Sequence, residues 1–232
     1  NNSRCNLMKS FRTKAIVLSR TNYGEADRIV QLLTPDNGKI GAIARGVRRE
    51  KSKLAGGIEL FSRCDITIHR GKGDLGIVTS ARSDALYLGI LKDYDRLQFG
   101  YEALKLVARV TETVDEPEWF SVLDQVLAGL SNELVGLSVC KTWFYVHYAG
   151  LLGHELNVQR DANGVTLKAD ERYRYDVASQ GLLADESGEI TSDYIKVLRL
   201  TSGVPLATMA QIGGINEIAS RCANVAEIHA AI

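Results

Sequence analysis

Residues 28–53 read RIVQLLTPDNGKIGAIARGVRREKSK, and this stretch decides the fold. Arg28–Leu33 is a short run rich in leucine and β-branched residues, and Lys39–Ala44 is another. Between them Pro35-Asp36-Asn37-Gly38 supplies a proline of fixed φ and an Asn-Gly pair that tolerates positive φ. Two strands joined by a hairpin turn are therefore expected. The stretch then changes character, placing Arg45, Arg48, Arg49, Lys51 and Lys53 within nine residues.

Reading outward, Lys14–Leu18 precedes the turn signal Asn22-Tyr23-Gly24 and adds a strand before the pair. Beyond Gly56-Gly57, the residues Cys64, Ile66 and Ile68 alternate with Asp65, Thr67 and His69, as on a half-buried strand. Gly71-Lys72-Gly73-Asp74 then turns the chain into Leu75–Thr79. Five short strands with no helical pattern between most of them fit a small Greek-key barrel, of which the OB-fold is the nucleic-acid-binding form.

After Asp84 the period becomes helical. Leu97, Tyr101, Leu104 and Ala108 are spaced four, three and four apart, predicting a helix over 94–114 with that stripe inward. Pro117 sits where a second helix can begin, with Phe120, Leu123, Leu127 and Leu130 as its stripe. Residues 134–152 are apolar on most sides and predict the most buried helix of a bundle, ended by Gly153. Asn163-Gly164, Gln180-Gly181 and the alternation Tyr173, Tyr175, Val177 predict a β excursion near 158–184, with helix again from Ser192. The expected class is thus α+β: a five-stranded OB-fold barrel over 12–84, then a mainly α-helical domain over 85–232 carrying the β excursion.

Composition agrees with an ordinary globular chain: 232 residues, 45% apolar, 24% charged and 3 prolines. The longest apolar run, 139–152, is interrupted by Lys141 and His147, so no membrane span is expected. Asn1–Thr13 is polar and basic without the apolar core of a secretory signal, Met8 is a candidate start, and a cytoplasmic address is the default. Cys5, Cys64, Cys140 and Cys222 contain no C-x-x-C pair, which argues for free thiols and against a zinc ribbon.

The net charge of zero hides a dipole. Residues 1–84 hold 16 Lys and Arg against 8 Asp and Glu, a surplus of +8, and the remainder holds 12 against 20, a surplus of −8. Such asymmetry points to a cationic module for a polyanion joined to a module with a different task.

Enzymatic signatures fail on context. Gly71-Lys72-Gly73-Asp74-Leu75-Gly76 matches G-x-G-x-x-G, but a dinucleotide loop must open a helix, and Ile77-Val78-Thr79 is strand chemistry. Neither Gly38-Lys39 nor Gly71-Lys72 completes a phosphate loop. His69, His147, His154 and His229 never form H-x-x-x-H, and no G-x-S-x-G occurs. The pairs Asp115-Glu116 and Asp185-Glu186 lie at helix boundaries or turns, where capping and solvation account for them. No catalytic residue, metal site or cofactor is assigned, and a non-enzymatic role is expected.

The positive signal is the segment 45–53, which joins two expected strands and has the composition of a phosphate clamp. Arg28, Lys39, Arg63, Arg70 and Lys72 lie on strands and hairpins around it, so a closed barrel can gather part of the set along one groove. A solvated basic loop is the bland alternative. Aromatic residues are few in this half, only Phe11, Tyr23 and Phe61, so base stacking should be sparse and backbone tracking dominant.

The runs Lys14-Ala-Ile-Val-Leu, Tyr23-Gly-Glu-Ala-Asp-Arg-Ile-Val, Thr34-Pro-Asp-Asn-Gly-Lys-Ile, Ala44-Arg-Gly-Val-Arg-Arg and Arg70-Gly-Lys-Gly-Asp-Leu-Gly, in this order, closely resemble the bacterial RecO family of recombination mediators. The likeness spans about residues 12–90 and continues more weakly through the helices, in Leu151-Leu152-Gly153-His154 and Tyr173-Arg174-Tyr175. It implies an N-terminal OB-fold, a helical domain and non-enzymatic work: binding single- and double-stranded DNA and annealing complementary strands. It further implies action with RecR to load RecA onto DNA covered by single-stranded-DNA-binding protein, whose acidic C-terminal tail docks on the helical domain, and a nucleoid-associated place in the cytoplasm.

Carried onto this sequence, the DNA role falls on Arg28, Lys39, Arg45, Arg48, Arg49, Arg70 and Lys72, with Lys51 and Lys53 added from charge alone. Arg109, Lys141 and His147 are candidates for the tail-docking contacts, and ordinary helix surface is their plainer reading. Many family members carry a four-cysteine zinc module after the central helix. Here 157–182 contains no cysteine, so the zinc is expected to be missing, with Tyr173, Tyr175 and Leu182 packing a hairpin in its place. A second function class is an OB-fold adaptor whose basic face meets RNA or an acidic protein without annealing.

Overall fold

The computed structural model describes residues 10–70, 73–114 and 116–231. Five strands, β1 (Ser10–Tyr23), β2 (Asp27–Thr34), β3 (Gly38–Ala44), β4 (Ser62–His69) and β5 (Gly76–Leu86), close into a barrel in the order β1-β2-β3-β5-β4. All neighbours are antiparallel except β3 and β5, which run parallel. This is the OB-fold expected from the sequence.

Closure depends on β1 serving two neighbours. Its first half, from Ser10 to Ile16, pairs with β4, its second half, from Ile16 to Tyr23, pairs with β2, and the register slips between Val17 and Ser19. Such an irregularity bends a strand and lets one long β1 turn the corner of a barrel. The expectation of a short Lys14–Leu18 strand captured only the part buried on both faces. β5 likewise continues past Thr79 through Ser80–Leu86, where half-exposed and exposed residues alternate without β-branched side chains. Pairing with β4 fixes that extension rather than intrinsic propensity.

Inside the barrel lie Ala15, Val17, Val30, Leu32, Ala42, Ala44, Cys64, Ile66, Ile68 and Val78, all buried. Thr34 closes the β2–β3 turn: its Oγ1 accepts from Asn37 N–H at 3.1 Å and donates to the Gly38 carbonyl at 3.0 Å. Gly38 takes φ of 58°, the positive value that Asn-Gly predicted.

Contacts divide the chain into two compact units, one formed by the chain up to Lys92 with Gly100–Asp124, the other by Asp93–Phe99 with the chain from Gln125 onward. Three long helices follow the barrel in sequence: α1 (Tyr94–Val110), α2 (Glu118–Ser131) and α3 (Leu137–Leu151). The buried stripe of α1 is Phe99, Ala103, Leu104 and Val107, rotated from the expected Leu97-Tyr101-Leu104-Ala108. Tyr101 is 46% exposed, with one part of its ring edge-on against Phe61 at a centroid distance of 5.0 Å. In α2 the buried stripe is Trp119, Leu123, Leu127 and Leu130 with Val122 and Val126 beside it.

In the second unit α3 is the most buried helix, as expected, with Val139, Cys140, Thr142, Trp143, Phe144, Tyr145, Tyr148 and Ala149 inside. It ends where Gly153 takes φ of 79°, with Gly153 N–H donating to the Gly150 carbonyl and His154 N–H to that of Ala149. This is the Schellman pattern that a glycine after the last turn makes cheap. The β excursion is a hairpin, β6 (Tyr173–Asp176) with β7 (Gly181–Ala184). Tyr173 and Leu182 are fully buried, and Tyr173 OH accepts from Lys168 N–H at 2.8 Å, so the hairpin carries its own packing. Helices α4 (Ser192–Thr201), α5 (Leu206–Met209) and α6 (Ile215–Ala230) complete the unit, with α3 packed chiefly on α6.

Cys64, Cys140 and Cys222 are free, and burial pushes each thiol up to about 12. Cys5 lies outside the described residues. No helix among the described residues is long and apolar enough to cross a membrane, and no group of three or more His, Cys, Asp or Glu among them is arranged to hold a metal ion.

Candidate nucleic-acid interface

Strand register sorts the barrel's cations into two ends. At one end β1 finishes, β2 begins and β3 finishes, so Asn22 faces Arg28 and Arg28 faces Ala44. The 45–53 connection leaves β3 here and folds back on the β1–β2 turn. Arg48 N–H donates to the Ala26 carbonyl at 2.9 Å, and its guanidinium donates to the Gly24 carbonyl at 3.4 Å. Gly46 N–H donates to the Asp27 carboxylate at 2.7 Å from a backbone with φ of 62°, a conformation that favours glycine. Val47, 2% exposed, plugs into the barrel core between the arginines.

Arg-Gly-Val-Arg-Arg is therefore a folded loop: glycine makes the bend, valine anchors it, and arginines are left outside. Arg45, Arg48, Arg49, Lys51 and Lys53 are exposed, and among the described residues the side chains of Arg45, Arg49, Lys51 and Lys53 have no hydrogen-bond or ion-pair partner. Arg28 is braced beside them, donating to Asn22 Oδ1 at 3.1 Å with Glu59 4.0 Å away. Sequence reasoning missed Arg20, which pairs with the same Glu59. The signal was available in the register, because Arg20, Asn22 and Arg28 share one face of the β1–β2 pair.

Lys39 and Arg70 belong to the other end, where β3 begins and β4 finishes. The Lys39 ammonium donates to the Ala108 carbonyl at 2.8 Å and to Glu112 at 3.0 Å, with its side chain 17% exposed. Arg70 donates to Asn37 Oδ1 at 3.3 Å and lies 5.0 Å above the Phe11 ring, a cation–π geometry. Lys72 lies outside the described residues. The barrel thus brings together Arg28, Arg45, Arg48, Arg49, Lys51 and Lys53, and places Lys39 and Arg70 apart from them.

Arg63, on β4, is committed internally. Its Nε donates to Asp84 at 2.7 Å and its Nη1 to Asp124, whose other oxygen accepts the Tyr87 hydroxyl. Hydrogen bonds from Lys14 and Arg63 hold the Asp84 carboxyl below the usual carboxylate range, and burial pushes the Tyr87 phenol up. This network ties β4, β5 and α2 within the first unit and pairs the Arg63 charge with two carboxylates.

Of the candidate partner residues, Arg109 is exposed on α1. Lys141, on α3, lies 5.3 Å from the Phe99 ring centroid. His147 stacks on Trp143 at 3.9 Å, its Nδ1 2.8 Å from the Trp143 carbonyl, and lines a cavity of about 580 Å³ with Glu155, Gln159 and His229. Because a carbonyl only accepts, Nδ1 carries the proton and Nε2 is the bare nitrogen. Burial lowers the pKa of His147, so near neutral pH the ring is uncharged.

Fold and rim together define the class: an OB-fold module with an unneutralised cationic loop at one end, followed by a helical unit. Residues 8–86 match the family Recombination protein O N terminal. Over 154 residues, 66% of this chain, the sequence is 32% identical to DNA repair protein RecO from each of two strains of Dehalococcoides mccartyi. That alignment covers 60% of each relative, so the chain spans less than two thirds of their length in the match. Residues 8–86 thus carry an N-terminal domain of the RecO type.

Proposed function

We propose that this protein is a non-enzymatic DNA repair and recombination mediator whose 45–53 loop and adjoining rim hold the phosphates of single- and double-stranded DNA. The observation that carries the reading is the cluster of Arg28, Arg45, Arg48, Arg49, Lys51 and Lys53 at one barrel end, most of it without internal counter-ions. Cations held on a folded loop release condensed counterions when they meet phosphates, and such contacts carry little sequence information. Bases left free by a backbone clamp can pair, which suits annealing of complementary strands. Arg70 adds a secondary cationic contact at the other end, Lys72 stands as a DNA contact from sequence alone, and Lys39 serves to hold the Ala108–Glu112 turn.

Likeness to the RecO family supports the wider role: recombinase loading onto single-stranded DNA coated by its binding protein, with RecR and that protein's C-terminal tail as partners. For the tail, Lys141 and Arg109 supply positive charge, and His147 offers a neutral hydrogen-bonding edge rather than a charge. Binding of oligonucleotides at 50 and 200 mM salt tests the core of the reading. Six phosphate contacts predict about a thousandfold loss of affinity between those conditions. Salt-independent binding, or none, would contradict it and leave the adaptor alternative.

A further inference from the structure

The three rings of the first 84 residues are not equivalent. Phe61 is buried, 3% exposed, and Phe11 lies half-buried beneath the Arg70 guanidinium. Tyr23 is 54% exposed, and among the described residues it has no hydrogen-bond or ring partner. It stands one residue before Gly24, whose carbonyl receives the Arg48 guanidinium. An aromatic face is thus presented to solvent next to the loop that carries the unpaired cations.

Register places more beside it. Cross-strand partners share a face, and Val30 and Ala42 point into the core, so the intervening residues point outward. Tyr23 pairs with Asp27, and one step along the same outer face Thr21 pairs with Ile29, Ile29 with Ile43, and Ile43 with Ile77. The three isoleucines are half-buried, forming an apolar row across β2, β3 and β5 on the outside of a barrel. Arg45 follows Ile43 by two residues and shares its parity on that face. The Asp27 carboxylate accepts Gly46 N–H at 2.7 Å, which ties the start of the basic loop to the strand end beside Tyr23.

We propose that Tyr23 is a stacking platform for one unpaired base, with the Ile29–Ile43 row receiving the next nucleotide, so that this rim prefers single strands over duplex. The occupant is a single-stranded polynucleotide, because the surface combines a bare ring, an apolar row and unpaired guanidinium groups. A duplex offers only phosphates here, its bases being stacked on one another. The proposal rests on the DNA-binding reading above and assigns that site's strand preference.

The test uses the full chain and two labelled probes, a short oligothymidine and a blunt hairpin duplex, at fixed salt. Tyr23→Ala should weaken oligothymidine binding about tenfold, the loss expected for one base–aromatic stack, and change duplex binding by less than about twofold. Tyr23→Phe should bind as the native chain does. Tyr23→Trp should show indole emission that responds to oligothymidine and not to duplex, against a background from Trp119 and Trp143, both buried. A melting curve serves as the folding control for each variant.

Native single-strand affinity in Tyr23→Ala, or equal losses on both probes, would overturn the stacking role. A parallel Arg48→Glu/Arg49→Glu variant separates the two ideas. If it abolishes binding while Tyr23→Ala is silent, only the stacking falls; if it too is silent, the DNA reading falls with it.

Discussion

The two ends of the barrel spend their basic residues differently. At the β2–β3 turn, Lys39 is consumed by a helix-terminal carbonyl and Glu112, and Arg70 by Asn37 and the Phe11 ring. At the β1–β2 turn, the 45–53 loop is held by its backbone, by Val47 and by one Arg48 hydrogen bond to a carbonyl, so among the described residues none of its basic side chains meets an anion. The lesson is that cation count does not locate a polyanion site. What matters is which charges the fold has already neutralised, and how the loop is anchored without using them.

The largest expected effect breaks this contrast outright. Arg48→Glu with Arg49→Glu should lower affinity for both single- and double-stranded DNA about a hundredfold or more near physiological salt, and abolish strand pairing in a fluorescence assay. Arg63→Ala should do the opposite, leaving DNA affinity near native while costing about 2 kcal/mol of stability, because Asp84 and Asp124 lose a charged donor in a half-buried network. Denaturant titration reads it. Lys39→Ala should change DNA binding by less than about threefold and cost about 1 kcal/mol. A large affinity loss there would merge the two ends into one site.

The smallest effect concerns pH and the second unit. Burial lowers the pKa of both His147 and His229 below the ordinary 6.5, so between those values the unfolded chain binds protons that the folded chain does not. The histidines therefore contribute stability that is present above 6.5 and is lost as pH falls below it. Melting temperature should decline from pH 7 to pH 5.5, before the carboxylates titrate. His229 Nε2 faces the His154 carbonyl and its Nδ1 the Tyr175 hydroxyl, so His229→Gln should flatten that slope.

Much of the barrel was legible because its signals are local. Pro-Asp-Asn-Gly makes a turn wherever it stands, and alternation over 64–69 needs only one buried face. The long β1 and the far half of β5 were not legible, since both are defined by partners distant in sequence. The α1 stripe was misread because Tyr101 looks like a core residue in a helical pattern, whereas Phe61 recruits it to a partly exposed edge. The site shows the same division. The basic loop is visible as letters, but that Lys39 is neutralised depends on Glu112, 73 residues away. Tyr23, counted at first only as scarce aromatic content, acquires meaning when register puts it beside Arg45 and Arg48.

The central claim is that the 45–53 arginines contact phosphate directly, and the slope of log affinity against log salt measures this most directly. For duplex DNA, replacing Arg45, Arg48 and Arg49 with alanine should reduce that slope by about 2.7, roughly 0.9 per lost contact. The same slope in the variant and the native chain would contradict the account, since phosphate would then be held elsewhere.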